Sequence, residues 1–402
     1  MELLSPAGDM TCLQAALDAG ADAVYLGLGS FNMRTGAARN FTRETLPDAS
    51  ARCRARGVRL YLTLNSIIFE DELGAMRDEL AFAKPYIDAA IVADWAAAQA
   101  CVAESVPFHV STQMSCSNSA AARFMVAQGA SRIVLARECT MAEVAAVARA
   151  IAPAQVEVFV HGAVCVAVSG RCLLSHEAYK CSASRGECRQ PCRRKFHVRE
   201  VAEGDGAVAE FEVEPRAVMS ARDLCSLPFL DKLVAAGVGA LKIEGRARNP
   251  EYVAVVTRAY KRALAAIADG SWNAALADAL VADCARVYHR VFGCGLYHGR
   301  PGADQMTPDD ENHATERKSH SGIVMNWYAK ARAAQVMIQD RELRVGDRIS
   351  VHGPATGVVD LTVSSLRRDD ITPAIAERGA WVTIPCPAKV RPGDKVFLVE
   401  TL

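Results

Sequence analysis

Along the first 160 residues, short apolar runs alternate with segments whose apolar side chains recur at helical spacing. The runs lie at 3–4, 23–28, 60–64, 89–93, 108–110, 133–135 and 156–160, and the helical segments at 10–19, 44–56, 72–83, 95–103, 120–128 and 141–151. Runs of this kind predict strands, and a helix between successive strands predicts parallel pairing, because a parallel connection has to cross over. An eighth unit follows after a long interruption: the strand-like 241–243 inside ALKIEGR, then a helical stretch over 250–268 opened by Pro250. Eight units predict an α/β fold, a (β/α)8 TIM-like barrel with a Cys-rich insertion after strand 7. An open doubly wound sheet would instead want a Gly-rich phosphate turn after its first strand, where this chain has SPAGDM.

From about residue 321 the periodicity changes to six short strands, and two similar turns, Arg344-Val-Gly-Asp and Arg391-Pro-Gly-Asp, each lead into one. That pattern predicts a small C-terminal all-β barrel. The expected division is a barrel over 1–270 that includes the insertion at 165–235, a helical connector over 271–318, and the β-barrel over 319–402.

A parallel barrel places its chemistry at the C-terminal ends of the strands. The polar residues there are Tyr25, Asn65, Asp94, Ser111 to Gln113, Arg137, Glu138, His161, Glu244 and Arg246. Any one of them could be polar only because a loop begins there, but together they make a candidate site.

The insertion adds cysteine. Five of the 14 cysteines fall between Glu157 and Cys192, and Cys165, Cys172, Cys188 and Cys192 follow the spacing C-x6-C-x15-C-x3-C. Structural zinc sites usually bring ligands in close pairs, which only Cys188 and Cys192 form here, so the wider spacings suit a larger cluster such as [4Fe-4S]. Arg185, Arg189, Arg193, Arg194 and Lys195 surround the second pair and would favour thiolates. Cys181 and Cys225 are reserves that could replace a ligand. The other cysteines stand singly in apolar or helical surroundings, as buried thiols do.

Composition narrows the partners. Lys plus Arg and Asp plus Glu both number 46, so any nucleic-acid contact has to come from a local patch. The start MELLSPAGDM has neither the basic nor the apolar region of a secretory signal, and no apolar run approaches the roughly 20 residues of a membrane span. A cytoplasmic location with no membrane partner is expected, where thiols stay reduced and clustered cysteines serve metals or catalysis.

The segment Glu157-x-Phe159-x-x-Gly162-Ala163-Val164-Cys165-x4-Gly170-x-Cys172-x-Leu174-Ser175 resembles the signature of peptidase family U32, the collagenase-like proteins. MELLSPAG, ADAVYLG, the Asn40 to Glu44 stretch and LKIEGRARNPEYV are similar to it too. Despite the peptidase label, the resemblance implies oxygen-independent hydroxylation: of tRNA uridine at C5, of ribosomal RNA cytidine, or of quinones. It further implies a [4Fe-4S] cluster, the iron–sulfur assembly machinery as a partner, and prephenate as co-substrate for the RNA-modifying members. Matches at all four cysteines, and the C-terminal extension, are similar to the tRNA-hydroxylating branch. The extension also resembles barrels beside GTPase domains in translation factors, which makes tRNA or rRNA the expected partner; the chain could also form an oligomer.

On that reading Cys165, Cys172, Cys188 and Cys192 hold the metal. Asn65, Asp94, Gln113, His161 and Glu244 position an unstacked pyrimidine or move protons. Tyr25, Arg137, Arg246, Arg185 and Arg193 bind substrate, the arginines holding anionic groups. Collagenase-like proteolysis is the alternative. Neither H-E-x-x-H nor G-x-S-x-G occurs, and Cys165 near His161 is the one pair that could be read as nucleophile and base.

Overall fold

The computed structural model describes residues 1–36, 38–165, 167–194, 198–199, 210–211, 220–299, 306–307, 309 and 311–402. Of the residues singled out above, Lys195 lies outside this set.

Eight parallel strands form the barrel: β1 (Glu2–Pro6), β2 (Ala23–Gly27), β3 (Arg59–Leu64), β4 (Ala89–Val92), β5 (Phe108–Val110), β6 (Ala130–Val134), β7 (Gln155–Gly162) and β8 (Ala240–Ile243). Each pairs with the next through β7. β8 then closes the ring by pairing with both β7 (Leu241 opposite Val158) and β1 (Leu241 opposite Leu3). The predicted runs match these strands, and helices between them cover the outside. Their starts follow local chemistry: Asp94 and Asn118 accept hydrogen bonds from the first-turn amides Ala96 N and Ala121 N, and Thr140 with Glu143 forms a capping box.

Strand alternation decides what faces inward. On β3, Leu60, Leu62 and Leu64 are fully buried against the helices, while Tyr61, Thr63 and then Asn65 point into the barrel. On β8, Leu241 and Ile243 face the helices, and Lys242 and Glu244 face inward. Each fully buried Leu or Ile contributes about 1.5–3 kcal/mol relative to exposure, so the outward faces of the strands fix the register of the inward polar ones.

The lower barrel interior is a closed ionic layer. Glu157, with no solvent exposure, accepts from Lys242 Nζ at 3.0 Å and Arg132 Nη1 at 3.1 Å, and Arg132 also reaches Glu2 at 2.6 Å. Because each charge is paired, the layer avoids the several kcal/mol per ion that an unpaired buried charge costs.

β7 runs past the barrel, and its Gly162 end pairs antiparallel with a short strand, Asp223–Cys225. Its register against β8 shifts here, from Lys242 opposite Phe159 to Ile243 opposite His161. Such a bulge moves the following side chain to the other face.

After helices Pro250–Asp269 and Ala274–Ala285, the chain enters the all-β domain. Six antiparallel strands lie in the order 357–362, 348–353, 395–401, 316–328, 333–338 and 381–385, around a core that includes Val336, Val351, Ile384 and Val396. This domain docks on the barrel through Lys318 to Glu251 at 2.6 Å and Arg52 Nη1 to the Pro354 carbonyl at 2.6 Å. Among the described residues, no helix is long and apolar enough to cross a membrane.

Candidate active site and metal centre

The insertion folds over the barrel mouth as short pieces: helix Leu174–Tyr179 and the 3-10 turns Ala183–Arg185 and Pro191–Arg193. It is tied to the loops after β2 and β3. Gly36 N donates to the Gly186 carbonyl at 3.2 Å, Thr35 Oγ1 to the Arg185 carbonyl at 2.8 Å, and Ile67 N to the Ser184 carbonyl at 3.3 Å. Gly186 has φ +84°, and a Cβ there would stand 2.3 Å from the Asn32 carbonyl oxygen, so this crossing needs glycine.

Between insertion and barrel lies a cavity of about 130 Å³. Cys165, Cys172, Cys188 and Cys192 all line it. Burial raises the Cys192 thiol, Arg193 opposes that, and Cys188, Cys165 and Cys172 each add to the rise, so the four sulfurs sense one another. Ser175 Oγ and the Gln190 amide both point at the Cys188 sulfur, at 3.7 and 3.4 Å. The reserves stand elsewhere: Cys225 is buried in the core between barrel and helices, and Cys181 donates to the Tyr179 carbonyl. Neither lines the cavity. Among the described residues, no three His, Cys, Asp or Glu side chains are close enough for a single metal ion.

The cavity lining carries five cations, Arg193 from the insertion and Arg34, Arg137, Lys242 and Arg246 from the barrel and its loops, and one carboxylate, Glu244. Burial alone would raise the Glu244 carboxyl. Arg34 above all, with Arg248 and Arg137, outweighs burial and holds it below the ordinary carboxylate range. Arg34 Nη2 donates to Glu244 Oε1 at 2.9 Å. Arg246, only 4% exposed, meets no carboxylate within 4.0 Å among the described residues and donates instead to the neutral Asn32 Oδ1 and Thr63 Oγ1, both at 3.0 Å. Burial pushes its pKa down to about 10, so it remains a cation at neutral pH. The simple structural alternative, a Glu244–Arg246 pair, is therefore not what forms.

Other nominated residues divide clearly. Asn65 accepts from the Met33 amide at 3.2 Å and faces Ser111, and Gln113 has a buried Oε1 with no hydrogen-bond partner among the described residues. Arg137 stacks 3.9 Å from the Phe159 ring centroid and donates to the Ala163 carbonyl at 2.5 Å. Arg193 reaches the Val164 carbonyl at 2.6 Å, which fastens Cys192 to the end of β7. Tyr25 lines the cavity, but its hydroxyl is spent on the Ile243 carbonyl at 2.9 Å.

Three expectations are corrected. His161 does not line the cavity: the β7 bulge turns it outward into a cluster with Tyr252, Tyr260 and Phe292, where burial lowers its pKa to about 3. Asp94 caps the helix Trp95–Ala103, accepting from Ala96 N at 2.8 Å, and is absent from the lining. Arg185 is not a cavity residue either; it pairs with Glu72 and lies 5.1 Å from the Phe69 ring centroid, so it anchors the insertion.

Sequence reasoning missed Arg34, Thr63 and Lys242. Thr63 and Lys242 carry a legible signal, since they are polar residues at inward alternate positions of apolar strands. Arg34 sits in an irregular loop and carries none.

A family model described as "Peptidase family U32" matches residues 8–307. A relative named "Collagenase", from Porphyromonas gingivalis strain W83, is 37% identical over 98% of this chain and 97% of its own length. One named "tRNA hydroxylation protein P1", from Bacillus subtilis, is 30% identical over 92% and 87%. A 23S rRNA 5-hydroxycytidine synthase of Escherichia coli is 35% identical over 66% of this chain and 40% of its own length. The chain belongs to peptidase family U32.

Proposed function

We propose that this protein is an iron–sulfur-dependent RNA hydroxylation enzyme, acting without molecular oxygen on C5 of a tRNA uridine with prephenate as co-substrate. The observation that carries this reading is the convergence of four cysteines and an unpaired buried Arg246 on one cavity at the barrel mouth. Names of relatives support RNA hydroxylation in general, on tRNA or on rRNA cytidine.

The residues fit a [4Fe-4S] cluster. The donor set is four soft thiols, two donors aim at the Cys188 sulfur, and the cationic wall offsets thiolate charge. A single tetrahedral zinc would need its sulfurs drawn in to about 2.3 Å from one point. When bound by Cys165, Cys172, Cys188 and Cys192, the cluster would supply electron transfer beside the substrate.

The chain's own groups prepare the rest. Arg246 and Arg137 bind the carboxylates of the co-substrate, Arg246 with most effect because it is desolvated and uncompensated. Asn65, Ser111 and Gln113 offer neutral donors and acceptors to the edge of an unstacked base. Glu244, kept ionised by Arg34, accepts a proton or hydrogen bond at the base. The insertion covers part of the cavity, with Cys165 left exposed.

Proteolysis is favoured by the names of three relatives, two called collagenase and one an uncharacterized protease. Among the described residues its candidate pair does not form, because His161 faces the helix layer and cannot activate Cys165 in the cavity. Nucleoside analysis of tRNA and rRNA from a deletion strain decides: loss of a 5-hydroxyuridine derivative from tRNA is expected. Loss from rRNA alone would move the substrate to cytidine, and intact nucleosides with gelatin cleavage by purified protein would overturn the reading.

A further inference from the structure

Beyond the loop that carries Arg246 lies a second hollow of about 620 Å³, between the barrel rim and the β domain. Arg246 is common to both linings, so the two spaces are neighbours. The hollow has five cations, Arg39, Arg246, Arg248, Lys318 and Lys395, against the carboxylates Asp9 and Glu251. Glu251 compensates Lys318 and Asp223, outside the lining, lies 3.8 Å from Arg248, which leaves Arg246, Lys395 and the loosely held Arg39 as the excess. Asp9 caps the helix Met10–Asp18 and reaches Arg39 only at 4.0 Å. Arg39 and Lys395 are exposed, and among the described residues Lys395 has no carboxylate within 4.0 Å.

The hollow on the other side of Glu251 behaves differently. There Glu316 bridges Arg286 at 3.0 Å and Arg348 at 2.7 Å, so its charges are spent on one another. Excess positive charge is thus particular to the hollow that touches the cavity. Its cations come from three places: the loop after β2, the segment after β8, and the β domain. A small anion needs donors that converge on one point, whereas a polyanion with repeating charges suits a row of them.

We propose that this groove is the track for the sugar-phosphate backbone of the RNA strand whose base enters the cavity, running from the exposed Arg39 and Lys395 on the rim to the loop that carries Arg246. The proposal rests on the RNA reading above, and it assigns the junction between the two domains, and not the β domain alone, to RNA binding.

The test titrates the full chain with transcribed tRNA over a series of salt concentrations, as wild type, as the double variant Arg39→Glu with Lys395→Glu, and as Arg149→Glu on the outer helix Met141–Ile151. The double reversal should weaken binding at least tenfold. It should also lower the slope of log affinity against log salt by about 1.4, at roughly 0.7 per lost phosphate contact on a single strand. Arg149→Glu should change neither, and Arg39→Lys with Lys395→Arg should bind as wild type, which separates charge from misfolding. Unchanged affinity and slope in the reversal overturn the groove, as does an equal loss in the control. Nucleoside content is read separately. Hydroxylation that needs the protein, with binding indifferent to the reversal, sinks the groove alone; charge-sensitive binding without any hydroxylation sinks the modification reading alone.

Discussion

Arg34 reaches across the barrel mouth to Glu244 at 2.9 Å, and in taking that carboxylate it leaves Arg246, two residues further along, without an ionic partner. Both arginines line the same cavity, yet the half-buried Arg34 is neutralised and the buried Arg246 is not. An uncompensated buried cation is costly to keep, so its retention points to a ligand.

Arg246→Met tests that trade. Its neutral partners keep other bonds: Asn32 Oδ1 accepts from the Arg34 amide at 3.0 Å, and Thr63 Oγ1 donates to the Leu26 carbonyl at 2.9 Å. Removing a desolvated charge should therefore leave the unfolding temperature equal or higher, while hydroxylation falls at least tenfold. Thermal unfolding and nucleoside yield measure the two; a marked loss of stability would show that Arg246 serves the fold.

His161→Phe should retain hydroxylation within about threefold, because the ring packs among Tyr252, Tyr260 and Phe292 and is neutral down to about pH 3. Asp94→Ala should cost about 1 kcal/mol of stability through the lost helix cap, with activity kept. An activity collapse in either folded variant would return that residue to the site.

Glu79 gives a pH prediction. It is 8% exposed, its Oε1 has no hydrogen-bond partner among the described residues, and burial raises its pKa to about 7. The folded state thus holds the proton more tightly than the unfolded one, whose pKa is near 4.5. The stabilisation is complete below pH 4.5 and is lost as pH rises through 7. Glu79→Gln should therefore match wild type near pH 4.5 and exceed it by about 3 kcal/mol at pH 8. Denaturant midpoints at the two pH values give the comparison, and an equal difference at both would contradict it.

Glu157→Gln should destabilise by about 3–5 kcal/mol, since it strips the shared charged partner from Lys242 and Arg132 in a buried layer. Its carboxyl is buried, but Lys242 and Arg132 hold its pKa below the ordinary range. That support is present above the unfolded carboxylate pKa and is lost as pH falls through the folded value. The drop should show in the unfolding midpoint near neutrality.

Much of this was legible in the sequence. Apolar runs gave all eight strands because a parallel barrel buries both faces of each, and the spacing of Cys165, Cys172, Cys188 and Cys192 singled out the residues that share a cavity. What periodicity cannot carry is where one strand breaks step. The bulge at Val160 sends His161 to the helix side, although regular alternation from Glu157 and Phe159 would aim it inward. Asp94 and Arg185 depart from expectation for a related reason: a polar residue at a strand end or in an insertion serves a helix cap or a loop anchor as readily as a substrate, and only the partners, Ala96 N and Glu72, tell which. Arg34 was missed because its role depends on a contact 210 residues away along the chain.

The most direct test of the central claim is iron content after anaerobic purification of wild type and six single cysteine-to-alanine variants. Wild type should be brown with about four irons per chain. Each of Cys165→Ala, Cys172→Ala, Cys188→Ala and Cys192→Ala should lose the colour and most of the iron, while Cys181→Ala and Cys225→Ala keep both. A colourless wild type holding one zinc, or bleaching by Cys181→Ala or Cys225→Ala in place of one of the four, would contradict the account.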